Sequence, residues 1–429
     1  MRSLLVALAM LCVFGAVGTA QAQGADRVVA LQNPPRGNTA GGCAWSSFQA
    51  MRLNLGYLGE DADWDWLLGV SGEAFWMAWT PRWTESLSCV IQTDSLANAA
   101  RAYGYEYQWR AGDTAAHAFA TLQRRTDQGL PTMVGGLTRG GPHTWSLVVG
   151  YVTADPKAAP VKGWPADKAL NPTERPDLNL LLHVHLAAGP TWEALPGQAG
   201  VPAEWRGRIR QCLFTQPRRA SLETAPMFLL LRKGTPPSRA EAARDALRLA
   251  VAMARQAPVR ASEGWEGDRY SFGLEALRGW ASSLRQMSYP EDWEKWRQEP
   301  GAPLSPGGPG RPVLGPHDVS DPALRMGVFH DVAERRRGAA RFLRIAQAYL
   351  PQQGERLADA ANLYEGEAEA ATQLAELFAG PVGAPMSLEQ SQAAMKDAET
   401  REKGAQLLDD MAAAERAAVL QLEAAAQGL

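Results

Sequence analysis

The sequence predicts an α+β fold in two parts, on three observations. Strand-like apolar runs and most of the tryptophans lie before Lys233. Stretches rich in Ala, Leu, Glu and Arg with helical spacing follow it. Between them Lys233-Gly234-Thr235-Pro236-Pro237 breaks both patterns. At roughly 100–200 residues per domain, a chain of 429 residues is expected to hold two domains, placed at 24–235 and 236–429.

Within the first part, Cys43 to Tyr57 reads as a helix. Ala44, Trp45, Phe48, Met51, Arg52 and Leu55 recur at three- and four-residue steps behind Gly41-Gly42. Ser95–Tyr103 and Ala115–Asp127 are further helices. Pro131–Val134, Thr144–Val152 and Leu178–Leu186 are strands, the last two separated by a long loop over 153–177. In the second part Ser238-Arg239-Ala240-Glu241 is a capping box that opens a helix to about Gln256. Tyr270–Met287, Ala323–Leu350, Glu355–Phe378 and Ser387–Gln427 are the remaining helices, and the Pro- and Gly-dense 299–322 is an irregular crossing. Met395, Ala398, Leu408, Met411, Ala418 and Leu422 form a stripe without a strict heptad, which favours bundle packing over a coiled coil.

The first residues read as an export signal. Arg2 precedes the apolar run Leu4–Val17, and Ala20-Gln21-Ala22 is a cleavage signature, with the cut expected after Ala22. Cys12 is filler in that run. The mature protein is therefore expected to be secreted or periplasmic, and no later stretch has the ~20 apolar residues of a membrane span. A net charge of -3 with no basic block gives no electrostatic support for a nucleic-acid partner.

One constellation can carry chemistry. Cys43 at the start of a helix meets the positive end of the helix dipole, which favours the nucleophilic thiolate. Its own N–H is placed to donate to an oxyanion. The other reading of Cys43 is a small buried hydrophobe. A thiolate needs a proton-transfer partner, and His143, in Gly141-Pro142-His143-Thr144, stands where a glycine-rich loop enters an apolar strand. His117 reads as a surface or packing residue. His183 and His185 share one face of a strand but lack a third ligand, so neither metal nor cofactor is expected. Trp64, Trp66, Phe75, Trp76, Trp79 and Trp83 either wall a groove or pack a core. Glu73 among them is either a site carboxylate or a helix N-terminal charge. If Cys43 is the nucleophile, Cys89 and Cys212 are the one pair left to bridge; the competing reading leaves both as small buried residues.

The order of a Cys at a helix start, the strand Pro131-Thr132-Met133-Val134 and then Gly-Pro-His143 leading an apolar strand resembles the papain-like fold. More narrowly it is similar to C39-like cysteine peptidases and to the N-terminal domain of the butirosin-biosynthesis acyltransferase family. Leu55-Gly56-Tyr57-Leu58-Gly59, Leu68-Gly69-Val70-Ser71-Gly72-Glu73-Ala74-Phe75 and Tyr270–Trp280 resemble stretches of the latter. The resemblance implies a papain-like N-terminal domain followed by a helical one. It implies Cys43 as nucleophile, His143 as acid/base and Asn38, in place of the usual Gln, as a second oxyanion donor. Asp155, in Asp155-Pro156, is the Asp-Pro carboxylate, one strand earlier than in the family. Trp45, Trp76 and Glu73 would line the substrate. The function this implies is hydrolysis or transfer of an acyl group from an amide or thioester, with a peptide or acyl substrate. The alternative is a non-catalytic peptide-binding or assembly protein on the same fold.

Overall fold

The computed structural model describes residues 27–31, 46–79, 95–135, 137, 145–153, 179–185, 212–215, 222, 225–256, 259–260, 269–287 and 326–428. The chain forms two compact units, Met1–Asp63 with Tyr105–Gly234, and Trp64–Gly104 with Thr235–Leu429. The architecture is α+β with antiparallel strand pairing.

The first unit opens with β1 (Arg27–Ala30) and α1 (Ser46–Tyr57), in which Phe48, Met51 and Leu55 of the expected stripe are buried. The chain then enters the second unit for α2 (Trp64–Ser71), a 3-10 turn (Glu73–Phe75), β2 (Ala78–Trp79) and α3 (Ser95–Ala102). It returns for β3 (Tyr105–Arg110), α4 (Ala115–Asp127), β4 (Thr132–Gly135), β5 (Trp145–Thr153), β6 (Asn179–His185), β7 (Cys212–Thr215) and β8 (Met227–Lys233). The helix and strands expected over 115–186 are thus present within a residue or so.

β1 and these strands form one seven-stranded sheet, six of them in the order β3-β8-β4-β5-β6-β7 and β1 off that path, paired with β5. β5 is its organising strand. β4 pairs with its first half, from Thr132↔Val148 to Gly135↔Trp145, and β1 with its second half, from Arg27↔Thr153 to Ala30↔Gly150. β6 runs along the other edge, with a register shift between Val148 and Gly150. α4 covers one face, where Ala118, Phe119 and Leu122 pack on Val134, Val148 and Tyr151. Arg125 fastens that helix. Its guanidinium donates to Thr132 Oγ1 at 3.1 Å, to the Pro131 carbonyl at 3.3 Å and to the Leu230 carbonyl at 2.7 Å. These acceptors are all neutral, and burial pushes the Arg125 pKa down to about 10.

The second unit continues with α5 (Arg239–Ala254), β9 (Val259–Arg260), β10 (Arg269–Phe272), α6 (Gly273–Gln286), α7 (Val328–Gln347), a 3-10 turn (Pro351–Gln353), α8 (Gly354–Ala379), α9 (Leu388–Lys396) and α10 (Ala398–Gln427). The capping box Ser238/Glu241 forms as expected. β2, β10 and β9 make a small antiparallel sheet. The helices pack on one another around Trp280, Phe329, Leu374, Phe378, Leu408 and Met411.

Three expectations need correction. The helix expected from Tyr270 starts at Gly273, because Ser271 and Phe272 pair with Trp79 and Ala78 as strand. The helix expected over 387–427 is two helices. Asp397 adopts an extended conformation between them, and its carboxylate accepts from the Thr400 N–H at 2.9 Å, capping α10. Residues 64–104, read as part of the first domain, belong to the helical unit. Their aromatic side chains find their partners there, Trp66 on Phe342 at 5.4 Å and Phe75 on Tyr364 at 5.5 Å between ring centroids.

Gly69 lets α2 approach α7 closely: a Cβ at this position would lie 2.0 Å from the Phe342 ring. Gly69→Ala is expected to destabilise the protein by about 1–3 kcal/mol through overpacking. Phe342→Leu in the same chain should recover part of that loss, a coupling readable in urea titrations of the single and double variants.

Candidate functional site

Cys43, His143, Asn38, Asp155 and Trp45 lie outside the described residues, as do Trp83, Cys89 and His317. Cys212 opens β7, and His183 and His185 lie on β6 opposite Val148 and Ser146 of β5. The frame beside the first two residues is described. The first residue of α1, Ser46, follows Cys43 by three positions, and the first residue of β5, Trp145, follows His143 by two. α1 packs against β5 and β4. His117 is surface-exposed, its Nδ1 3.3 Å from Asp113 Oδ1 at the start of α4.

An aromatic shelf stands on the strand that continues from His143. Trp109 of β3 meets Trp145 of β5 at 5.7 Å and Phe228 of β8 at 6.1 Å, while Tyr107 stacks on Phe228 at 5.4 Å. Alternation along β3 sends Arg110 to α4, where it donates to Thr121 Oγ1 at 3.3 Å, and turns Tyr107 and Trp109 to the opposite face. Trp109 is 47% exposed on an edge strand of the sheet. The sequence carried the signal in the alternation Tyr105-Glu106-Tyr107-Gln108-Trp109, but the two partners lie far along the chain.

The described part of the tryptophan-rich segment packs as core. Trp66, Phe75 and Trp76 are buried, and Trp76, at 3% exposure, sits edge-on to Phe272 at 5.4 Å. Glu73 is buried and its Oε1 lies 2.9 Å from Arg335 Nη2, a paired charge inside the helical unit.

Beside that pair is a cluster that sequence reasoning missed. Arg336 Nε lies 3.0 Å from Glu367 Oε2, and its Nη2 lies 3.0 Å from Glu415 Oε2, with all three side chains at 0% exposure. Nη1 donates to the Ala74 carbonyl at 3.3 Å. The guanidinium also stands over the Tyr364 ring, 5.4 Å from its centroid. Burial alone would lower the Arg336 pKa, but the charges of Glu415 and Glu367 more than offset it and raise it. Burial raises the Tyr364 hydroxyl well above the usual phenol value, and Glu415 adds to that.

A signal for this cluster was present. On α7, Arg336 falls in the buried series Phe329, Val332, Ala333, Ala339, Ala340 and Leu343. On α8, Glu367 falls between Tyr364 and Ala371, and on α10 Glu415 falls between Met411 and Ala418. Each helix thus carries charge inside its apolar stripe, and intrusions of opposite sign predict a shared site.

Arg336→Met leaves two buried carboxyl groups without their cation and is expected to cost about 3–5 kcal/mol in urea unfolding. Adding Glu415→Gln should restore part of that stability.

Comparison with protein-family models finds no match, and no curated protein is significantly similar to the chain.

Proposed function

We propose that the first unit is a papain-like catalytic domain that performs thiol-dependent acyl chemistry, outside the cytoplasm, on an amide or thioester. The observation that supports this reading is the packing of α1, which continues from Cys43, on β5, which continues from His143, within an antiparallel sheet. In this reading the Cys43 thiolate attacks the carbonyl carbon, forming the S–C bond. The resulting oxyanion takes hydrogen bonds from the Cys43 N–H and Asn38. His143 delivers the thiol proton to the departing amine or thiol as the C–N or C–S bond breaks, and water or an acceptor nucleophile then releases the acyl group. Asp155 is the carboxylate that would orient His143. Export of the chain favours hydrolysis over transfer, because carrier-bound thioesters are expected inside the cell. Trp109, exposed over the buried rings of Trp145 and Phe228 beside the start of β5, offers an apolar contact for an acyl chain or an apolar side chain of a peptide.

Labelling with a fluorescent iodoacetamide tests the proposal. Cys43 in the intact protein should react at neutral pH at least about tenfold faster than a free thiol, as an activated thiolate does. Cys43→Ser should remove the fast labelling and His143→Ala should slow it to the free-thiol rate. A Cys43 that already reacts at the free-thiol rate in the wild type leaves the fold as a peptide-binding scaffold without catalysis.

A further inference from the structure

The cluster at the centre of the helical unit does not balance in charge. Arg336 supplies one positive charge, while Glu367 and Glu415 supply two carboxyl groups, and none of the three side chains reaches water. The neighbouring Arg335 pairs with Glu73 at 2.9 Å, one charge of each sign. Among the described residues, charges on neighbouring elements form pairs outside the cluster. Asp65 of α2 faces Arg341 at 3.7 Å, Arg255 after α5 pairs with Glu423, and Arg285 of α6 pairs with Glu402 and Asp409. Tyr364 of α8 also faces the cluster, its ring under the Arg336 guanidinium, and brings no positive charge. The carboxyl groups of Glu367 and Glu415 converge on the one guanidinium, at Nε and Nη2, each at 3.0 Å. Two ionised carboxylates that close, in a dry site with one cation, would repel; a single proton shared between them removes the excess charge and makes one a donor to the other.

We propose that Glu367 keeps its proton at neutral pH, so that the helical unit is locked by a carboxylic acid, a carboxylate and a guanidinium, and loosens when that proton is withdrawn. Burial, then the charge of Glu415, holds the Glu367 carboxyl well above its ordinary range, against the pull of Arg336. The folded unit therefore binds a proton that the unfolded chain releases. The stability this contributes is present in full below the ordinary carboxyl range, falls as pH rises above it, and is lost once the folded-state value is passed. The clamp joins α7, α8 and α10 to the 3-10 turn at Ala74, so its loosening is felt across the unit. It stands independently of the catalytic reading of the first unit.

The test uses the full-length chain and needs two measurements. The infrared spectrum of the wild type at pH 7 should contain the carbonyl stretch of a protonated carboxylic acid, and its absence would overturn the proposal without recourse to any variant. Urea unfolding followed by far-UV circular dichroism over about pH 5.5–8 should show the unfolding equilibrium constant of the wild type rising more steeply with pH than that of Glu367→Gln, by up to tenfold per pH unit, the signature of one linked proton. Glutamine matches the shape of the protonated acid, so the variant should fold and be the more stable of the two at the alkaline end. Equal slopes in the two proteins would show that Glu367 is ionised in the folded state and sink the clamp.

Discussion

A guanidinium shut away from water has to be surrounded by its own acceptors, and Arg336 imposes that demand on the helical unit. The desolvation of such a group costs several kcal/mol, so the helices that flank α7 are held to the one arrangement that brings Glu367, Glu415 and the Ala74 carbonyl to it together. An apolar residue in its place would allow α8 and α10 to slide by a turn and still bury their stripes. With the ion cluster present, a slide of a single turn leaves a buried charge without its partner. Arg335, next in the chain and turned to another side of α7, fixes the 3-10 turn a second time through Glu73. The close approach of α2 to α7 at Gly69 follows from having that turn anchored there.

The first unit solves the same problem with different chemistry. Arg125 is buried against a hydroxyl and two backbone carbonyls rather than against carboxylates, and it ties α4 to both β4 and β8. Neutral acceptors hold it in place while leaving its charge uncompensated, which is why burial depresses its pKa. One unit thus uses its internal arginine to fasten a helix on a sheet, the other to set the register of three helices.

Local patterns were legible where a local force decides the structure. The α4 helix, the strands β4 to β6, the capping box at Ser238 and the helix start at Ser387 all lie where periodicity and end signals place them. Asp397 was hidden because Met395, Ala398 and Leu408 continue the apolar stripe through the break; an N-cap inside a periodic run looks like any surface acid until its backbone is seen. Tyr270 to Phe272 of β10 fall where the sequence predicts the start of a helix, because so short a stretch has no periodicity to tell, and pairing with β2 is what makes it extended. Of the candidate site residues, Glu73 and Trp76 kept a structural role open in the sequence, and the packed environment supplies it: an arginine for one and an aromatic ring for the other.

The sequence by itself determined the α+β division near residue 235, the identity of most of the described helices, and the three strands β4 to β6. These depend on periodicity, caps and nearest neighbours along the chain. Only the tertiary structure decided that residues 64–104 belong with the helices that follow 235, that Trp109, Trp145 and Phe228 share one face of a sheet, and that charges from α7, α8 and α10 meet in one dry cluster. Those partners are tens to hundreds of positions apart, and the force that selects them is the cost of leaving a large ring or a charge without a matching surface, which exists only once the chain has closed around it.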